Sequence, residues 1–196
     1  MTMGEETPVS SLVLPILVRP ILSQLEKVDT TASQTLKAAL TKVEAVYPGF
    51  AYDLVVGIMN QAELSVNMNE SILRLQGAVP DSDAVEYRLN RSEDAFQELN
   101  RKSSSLKKIL SRIPDEIMDR KTFLETIKEI ASAIKKLLDV VNEVAGFIPG
   151  SNNKQVLDNT LKDYFKEGQP DAVFVSALCL IHQTNMIMIT VKNKCE

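Results

Sequence analysis

Between Phe123 and Val144 the chain reads FLETIKEIASAIKKLLDVVNEV, and apolar residues return at steps of four and three: Phe123, Ile127, Ile130, Ile134, Leu137, Val141 and Val144. At 3.6 residues per turn such a series falls on one face of a long helix. Leu124, Ala131 and Leu138 form an adjoining row, which widens the expected buried stripe. Lys128, Lys135 and Asp139 follow one outer edge and Glu125, Glu129 and Lys136 another, with Lys121/Glu125 and Lys135/Asp139 spaced for local pairing. A helix of this kind cannot bury its stripe alone, so neighbouring segments must supply partner helices.

With 196 residues, 44% of them hydrophobic and 24% charged, the chain can bury one sizeable core or two small ones. A net charge of -4 argues against a nucleic-acid binder, because no basic excess is available to displace counterions from phosphates. Trp is absent, aromatics make up 5%, and no glycine-rich nucleotide string occurs among the seven glycines. Cys179 and Cys195, if both on one C-terminal helix, stand roughly 24 Å apart and read as free thiols of a reducing compartment. The acidic start and the prolines that break the following apolar run argue against a secretory signal.

From Leu12 to Val28, Pro15 and Pro20 suit the first turns of two short helices, and so apolar an arm is expected either in its own domain or on another chain. Thr31-Ala-Ser-Gln34 reads as a capping box for a helix to Ala45 that ends at Tyr47-Pro-Gly49. A further helix over Ala51 to Gln61 presents Leu54, Val55, Ile58 and Met59, and Asn67 is placed to cap a fifth helix ending near Gly77. The stretch from Gly77 to Ser92 keeps no stripe and mixes Gly, Pro and charge. The expected organisation is therefore an N-terminal helical domain over 1–76, a linker or hinge over 77–92, and a C-terminal helical set over 93–196.

In that second set Phe96, Leu99, Ser103, Leu106, Leu110 and Ile113 step by three and four up to Pro114. After the long helix, a turn at Gly146 to Asn153 leads to an amphipathic helix from Lys154 to Glu167. Twenty uncharged residues from Ala172 to Val191 satisfy the length of a membrane span, and Met186-Ile-Met-Ile-Thr alternates like a strand. Phe174, Ala177, Ile181, Thr184, Met188 and Val191 keep the helical period, which favours a buried closing helix.

No constellation for catalysis, no metal site and no cofactor site emerges. His182 is the only histidine, and in an apolar helix it reads as a hydrogen-bonded packing residue; Cys179 reads as core. Lys128, Lys135, Lys162 and Lys166 are spaced to flank a groove between two helices, or else to form a solvated face.

Ser111-Arg-Ile-Pro-Asp-Glu-Ile, the string from Phe123 to Asp139, Leu161-Lys-Asp-Tyr-Phe-Lys and Ile181-His-Gln-Thr-Asn together resemble the programmed cell death ten family, also called the third cerebral cavernous malformation proteins. Ser33-Gln-Thr-Leu-Lys-Ala-Ala and Asn69-Glu-Ser-Ile-Leu-Arg fit the same family. The resemblance implies an all-α fold, with an N-terminal helical dimerisation domain, a hinge, and a C-terminal four-helix bundle similar to the focal-adhesion-targeting domain. It implies a non-catalytic scaffold without cofactors. Such a scaffold heterodimerises with germinal-centre-type sterile-twenty kinases, forms a homodimer when the kinase is absent, joins the striatin complex, and binds leucine-aspartate-motif proteins (paxillin-like partners and a cavernous malformation adaptor). The processes implied are cell survival, Golgi organisation and vessel or tube morphogenesis, in the cytoplasm with peripheral Golgi and plasma-membrane association. The alternative is a peripheral phosphoinositide-binding protein that uses the bundle lysines.

The resemblance places Leu36, Ala39, Ile58 and Met59 at the dimer and kinase interface, and Lys128, Ala131, Lys135 and Lys162 at the leucine-aspartate groove. The helix carrying Lys162 looks shortened. Its fourteen residues span about 21 Å against about 33 Å for the long helix, and Gln155 and Asp158 stand near where the family has a basic and a small residue. An acidic side chain on that rim repels an acidic peptide, so weak groove binding is expected.

Overall fold

A computed structural model describes residues 9–79, 87–146 and 170–195. Among these the secondary structure is all helical: α1 (Ser10–Val13), a π-helical turn (Leu14–Val18), α2 (Arg19–Glu26), α3 (Thr30–Val46), α4 (Phe50–Gln61), α5 (Met68–Ala78), α6 (Asp94–Leu110), α7 (Ile113–Glu116), α8 (Arg120–Ala145) and α9 (Pro170–Cys195). The helix expected from Lys154 to Glu167, with Lys162, Lys166, Gln155 and Asp158, lies outside the described residues.

The N-terminal arm is one helical run rather than two separate helices. Pro15 and Pro20 do occupy first-turn positions, but of the π turn and of α2, and backbone angles stay right-handed through both junctions. Pro20 offers no N–H and its ring crowds the carbonyl four residues back; the wider π turn accommodates both defects without breaking the run. Leu12, Val13, Leu14, Ile16 and Leu22 are buried. The arm packs on α4, α5 and α9, so it is tucked into this chain.

In the C-terminal set the expected stripes are covered. Phe96, Leu99, Ser103, Leu106, Leu110 and Ile113 are all buried, as are Phe174, Ala177, Ile181, Thr184, Met188 and Val191. A 26-residue helix with that much of its surface inside the protein is a core element, although its length and hydropathy would suit a membrane span. The long helix α8 packs on α6 and α7 and buries Thr126, Ile130, Leu137, Val140 and Val144, while Phe123, Ile127, Ile134 and Val141 are half-buried. The adjoining row expected to widen the stripe is not covered: Leu124 and Ala131 are exposed and Leu138 is half-buried. A repeat of apolar residues sets a stripe, but only the direction of the neighbouring helix decides which edge is buried.

Helix α5, expected with the first domain, packs on the π turn of the arm and also on α6, α7 and α9. Its N-cap Asn67 accepts from the Glu70 amide at 3.1 Å, and Asn67 and Asn69 both donate to Asp171 at the start of α9, at 3.2 and 3.3 Å. Gly77 is a contact residue rather than the first linker residue. A Cβ there would lie 2.3 Å from Ser111 Oγ and 3.0 Å from its Cβ, so only glycine lets α5 approach the end of α6 this closely. After residue 86, Leu89 is fully buried and its N–H and C=O are held by the Asn100 side chain at 3.0 and 2.9 Å.

Candidate functional site

Two surfaces carry the described residues that the sequence places at candidate sites. The first is the hairpin of α3 and α4. Its helices start through caps that differ from the expected capping box: Asp29, not Thr31, is the N-cap of α3 and accepts from the Ala32 amide at 2.9 Å. Asp29 has the extended backbone a cap needs, whereas Thr31 is already helical. The turn between the helices is held from α3 itself. Glu44 accepts from the amides of Gly49 and Ala51 at 2.8 Å each, placing a carboxylate on the N-terminus of α4, where free amides and the helix dipole favour negative charge. Gly49 takes a φ of 89°, which suits glycine alone. Where α3 meets α2, Ser33 Oγ donates to the Leu22 carbonyl at 2.6 Å and Lys37 pairs with Glu26 at 2.6 Å.

So firmly placed, the hairpin buries almost nothing. Of the 17 residues of α3 only Ser33 is buried, and of the 12 in α4 only Ala51. Leu36 is 44% exposed, Leu54 39% and Ile58 59%, and Val46, Tyr47 and Phe50 extend the apolar surface. Ala39 is exposed and Met59 half-buried. Gly57 leaves open space above α4, a notch rimmed by Asp53, Leu54, Ile58 and Gln61. Apolar side chains exposed in such number on two adjoining helices are of the kind that association surfaces present.

The second surface is the flank of α8 left uncovered by α6. Leu124, Lys128, Ala131, Lys135 and Leu138 recur at steps of four and three and form one stripe, with small Ala131 between two lysines. Lys128 and Lys135 take part in none of the ion pairs among the described residues, and the expected Lys121/Glu125 and Lys135/Asp139 pairs do not form. The stripe begins at a well-made N-terminus: Asp119 accepts from Thr122 Oγ1 at 2.8 Å and from the Lys121 amide at 3.0 Å. Those bonds hold its carboxyl below the ordinary value, the Thr122 hydroxyl contributing most. The α3/α4 residues and the α8 residues stand on separate faces of separate elements and are not brought together.

Residues 6–65 match the family model for the dimerisation domain of programmed cell death protein 10, and residues 66–158 match the model for its C-terminal part. The chain belongs to the programmed cell death protein 10 family. A programmed cell death protein 10 homologue of Caenorhabditis elegans is 38% identical over 189 residues, covering 88% of this chain and 87% of the relative. The family's dimerisation region thus comprises the arm and the uncovered hairpin, and its C-terminal region begins just ahead of α5, which packs on the arm's π turn as well as on α6, α7 and α9. The C-terminal match takes in the α8 stripe and ends before Lys162.

Spacing alone marked the α8 lysines. It offered no sign of Glu44 as the cap of α4, because that bond joins side chain to backbone across a turn. Val46, Tyr47 and Phe50 were legible only as a helix end, although they add exposed apolar side chains at the turn between α3 and α4.

Proposed function

We propose that this chain is a non-catalytic adaptor that pairs through the α3/α4 face and presents the α8 stripe to an acidic helical peptide. The observation that carries the reading is the uncovered hairpin. Two helices that bury one residue each are anchored by Glu44, Ser33 and Lys37 yet leave Leu36, Ala39 and Ile58 outward, a rigid apolar surface prepared for a matching helical face. The matching face is a second copy of the chain or the helical tail of a germinal-centre-type sterile-twenty kinase, through which the chain enters a striatin assembly. In a titration with that kinase tail, Leu36→Asp/Ala39→Asp abolishes complex formation while α6, α8 and α9 stay folded. Unchanged complex formation removes the assignment.

A leucine-aspartate peptide is an amphipathic helix with leucines for a trough and carboxylates for its rim. On α8, Ala131 offers room for the leucines and Lys128 and Lys135 the complementary charge, which acts mainly on association rate and salt dependence. Lys128→Glu abolishes binding of a labelled peptide. Affinity indifferent to that change means the groove is elsewhere. The same lysines suit anionic lipid headgroups, so vesicle flotation with and without phosphoinositide separates the two uses. Peripheral Golgi and plasma-membrane association would then follow from partners, and imaging a tagged Leu36→Asp/Ala39→Asp chain, which should become diffuse, tests that dependence.

A further inference from the structure

Gly57 lies inside α4, where glycine is the least favourable residue after proline, and nothing in its own chain calls for it. Its backbone is helical, and an added Cβ would meet no atom within 4 Å. Gly77 is explained by its closeness to Ser111 and Gly49 by its positive φ, but neither cause applies at Gly57. The open space belongs to an exposed row along the helix, formed by Asp53, Leu54, Gly57, Ile58, Gln61 and Ala62.

Leu54, Gly57, Ile58 and Gln61 stand at i, i+3, i+4 and i+7, the four corners of a hole that receives one side chain from a facing helix. With no side chain at one corner, the hole has room for a branched residue, and glycine lets a second helix axis approach closely. Ile58, exposed beside it, is a knob of the size the hole takes. Hole and knob share one short helix fixed at both ends, by Glu44 on the Ala51 amide at its start and by the Leu64 amide on the Met59 carbonyl at 2.9 Å at its close. The row is therefore complementary to itself.

We propose that α4 crosses α4 of a second copy in antiparallel fashion, with the two-fold axis between Gly57 and Ile58, so that Ile58 of each copy fills the hole over Gly57 of the other. This rests on the reading of the α3/α4 face as a pairing surface, and it assigns the notch to a second copy of the chain rather than to a kinase tail. Two observations favour that occupant. Residues 6–65, α4 among them, match the family's dimerisation domain. In the antiparallel crossing Leu54 faces Gln61 of the second copy and Asp53 faces Ala62, which sets the Asp53 carboxylate beside an amide donor; a parallel crossing would set Asp53 against Asp53, like charges face to face. Because the contact is the same patch on both copies, it closes on itself and stops at a dimer.

The test is sedimentation equilibrium of the full chain and its variants, with circular dichroism as the check on folding. Gly57→Leu should keep its helical content, since the added Cβ meets nothing in its own chain, yet weaken the dimer roughly tenfold by overfilling the hole. Ile58→Ala should weaken it by a similar factor by leaving the hole empty. Mixed in equal amounts and read by native mass spectrometry, the two variants should pair with each other well beyond the statistical share. In the mixed dimer the introduced leucine meets the introduced alanine, and the other contact is the parental one. A dimer constant unchanged by Gly57→Leu, or mixed dimers at the statistical share, would overturn the proposal while leaving the pairing face intact. So would a Gly57→Leu chain that loses the kinase tail but dimerises like the parent. A parent that stays monomeric would overturn both this crossing and the self-pairing it rests on.

Discussion

Ser11 Oγ lies 2.8 Å from His182 Nδ1, a bond between the first helical run and the last across 171 positions of sequence. It fixes the arm of the dimerisation region against α9, so the uncovered α3/α4 hairpin stands on a base shared with the C-terminal helices. The lone histidine has the hydrogen-bonded packing role expected of it, half-buried rather than fully enclosed. A double-mutant cycle with Ser11→Ala and His182→Ala should give a coupling of about 1 kcal/mol in chemical unfolding. Additive single effects would mean that the bond contributes nothing of its own.

Glu44 and Gly49 govern how α4 leaves the turn. Glu44→Ala removes the acceptor for two amides and should lower stability by about 1 to 2 kcal/mol. For Gly49→Ala the added Cβ meets Ser10 at an ordinary 3.6 Å, so the cost is backbone strain at positive φ, again about 1 to 2 kcal/mol. Thermal unfolding monitored by circular dichroism reads both. A neutral Glu44→Ala would show that α4 is placed by packing alone.

Gly77→Ala should be worse tolerated than its helical position suggests. Helix propensity favours alanine by about 1 kcal/mol, but the new Cβ meets Ser111, whose own Cβ cannot rotate away; overpacking of about 1 to 3 kcal/mol wins. Gly77→Ala/Ser111→Gly should recover much of the loss. No recovery would place the strain elsewhere.

Much of this architecture was legible. The three-four series from Phe96 to Ile113 and from Phe174 to Val191 are buried throughout; the first is flanked by polar residues, which leaves one way to turn the helix, whereas α9 is apolar on most sides and is buried well beyond its stripe. Of the residues expected at the interface, Leu36, Ala39 and Ile58 stand exposed, whereas the exposure of Leu124 and Ala131 depended on which side of α8 meets α6. Gly77 misled because a glycine at a composition change looks like a linker, and close approach of a distant serine leaves no local signal. Asp29 was missed since Thr31 and Gln34 supply a capping pattern two residues late.

The Asp119 cap carries a pH dependence whose sign follows from its bonds. Its carboxyl is held below its ordinary value of 3.8, so the contribution is fully present above that value and is lost as pH falls through the lower folded value. Asp119→Ala should therefore destabilise the protein near neutral pH, and the gap between variant and parent should close under strong acid. A gap independent of pH would assign the effect to the backbone instead.

The two thiols should differ in reactivity. Cys179 is buried, and desolvation pushes its thiol up from the ordinary range, while Cys195 is half-buried near the end of α9. Maleimide labelling should modify Cys195 first and Cys179 only at the rate of unfolding. Equal rates would mean that α9 opens readily.

The central claim is that the α3/α4 face is an association surface left uncovered in the single chain. Sedimentation equilibrium of the full chain against Leu36→Asp/Ala39→Asp tests it most directly. The account predicts a concentration-dependent dimer for the parent and a monomer of unchanged helical content for the variant. A parent that stays monomeric at high concentration, or a variant that dimerises as well as the parent, would contradict it.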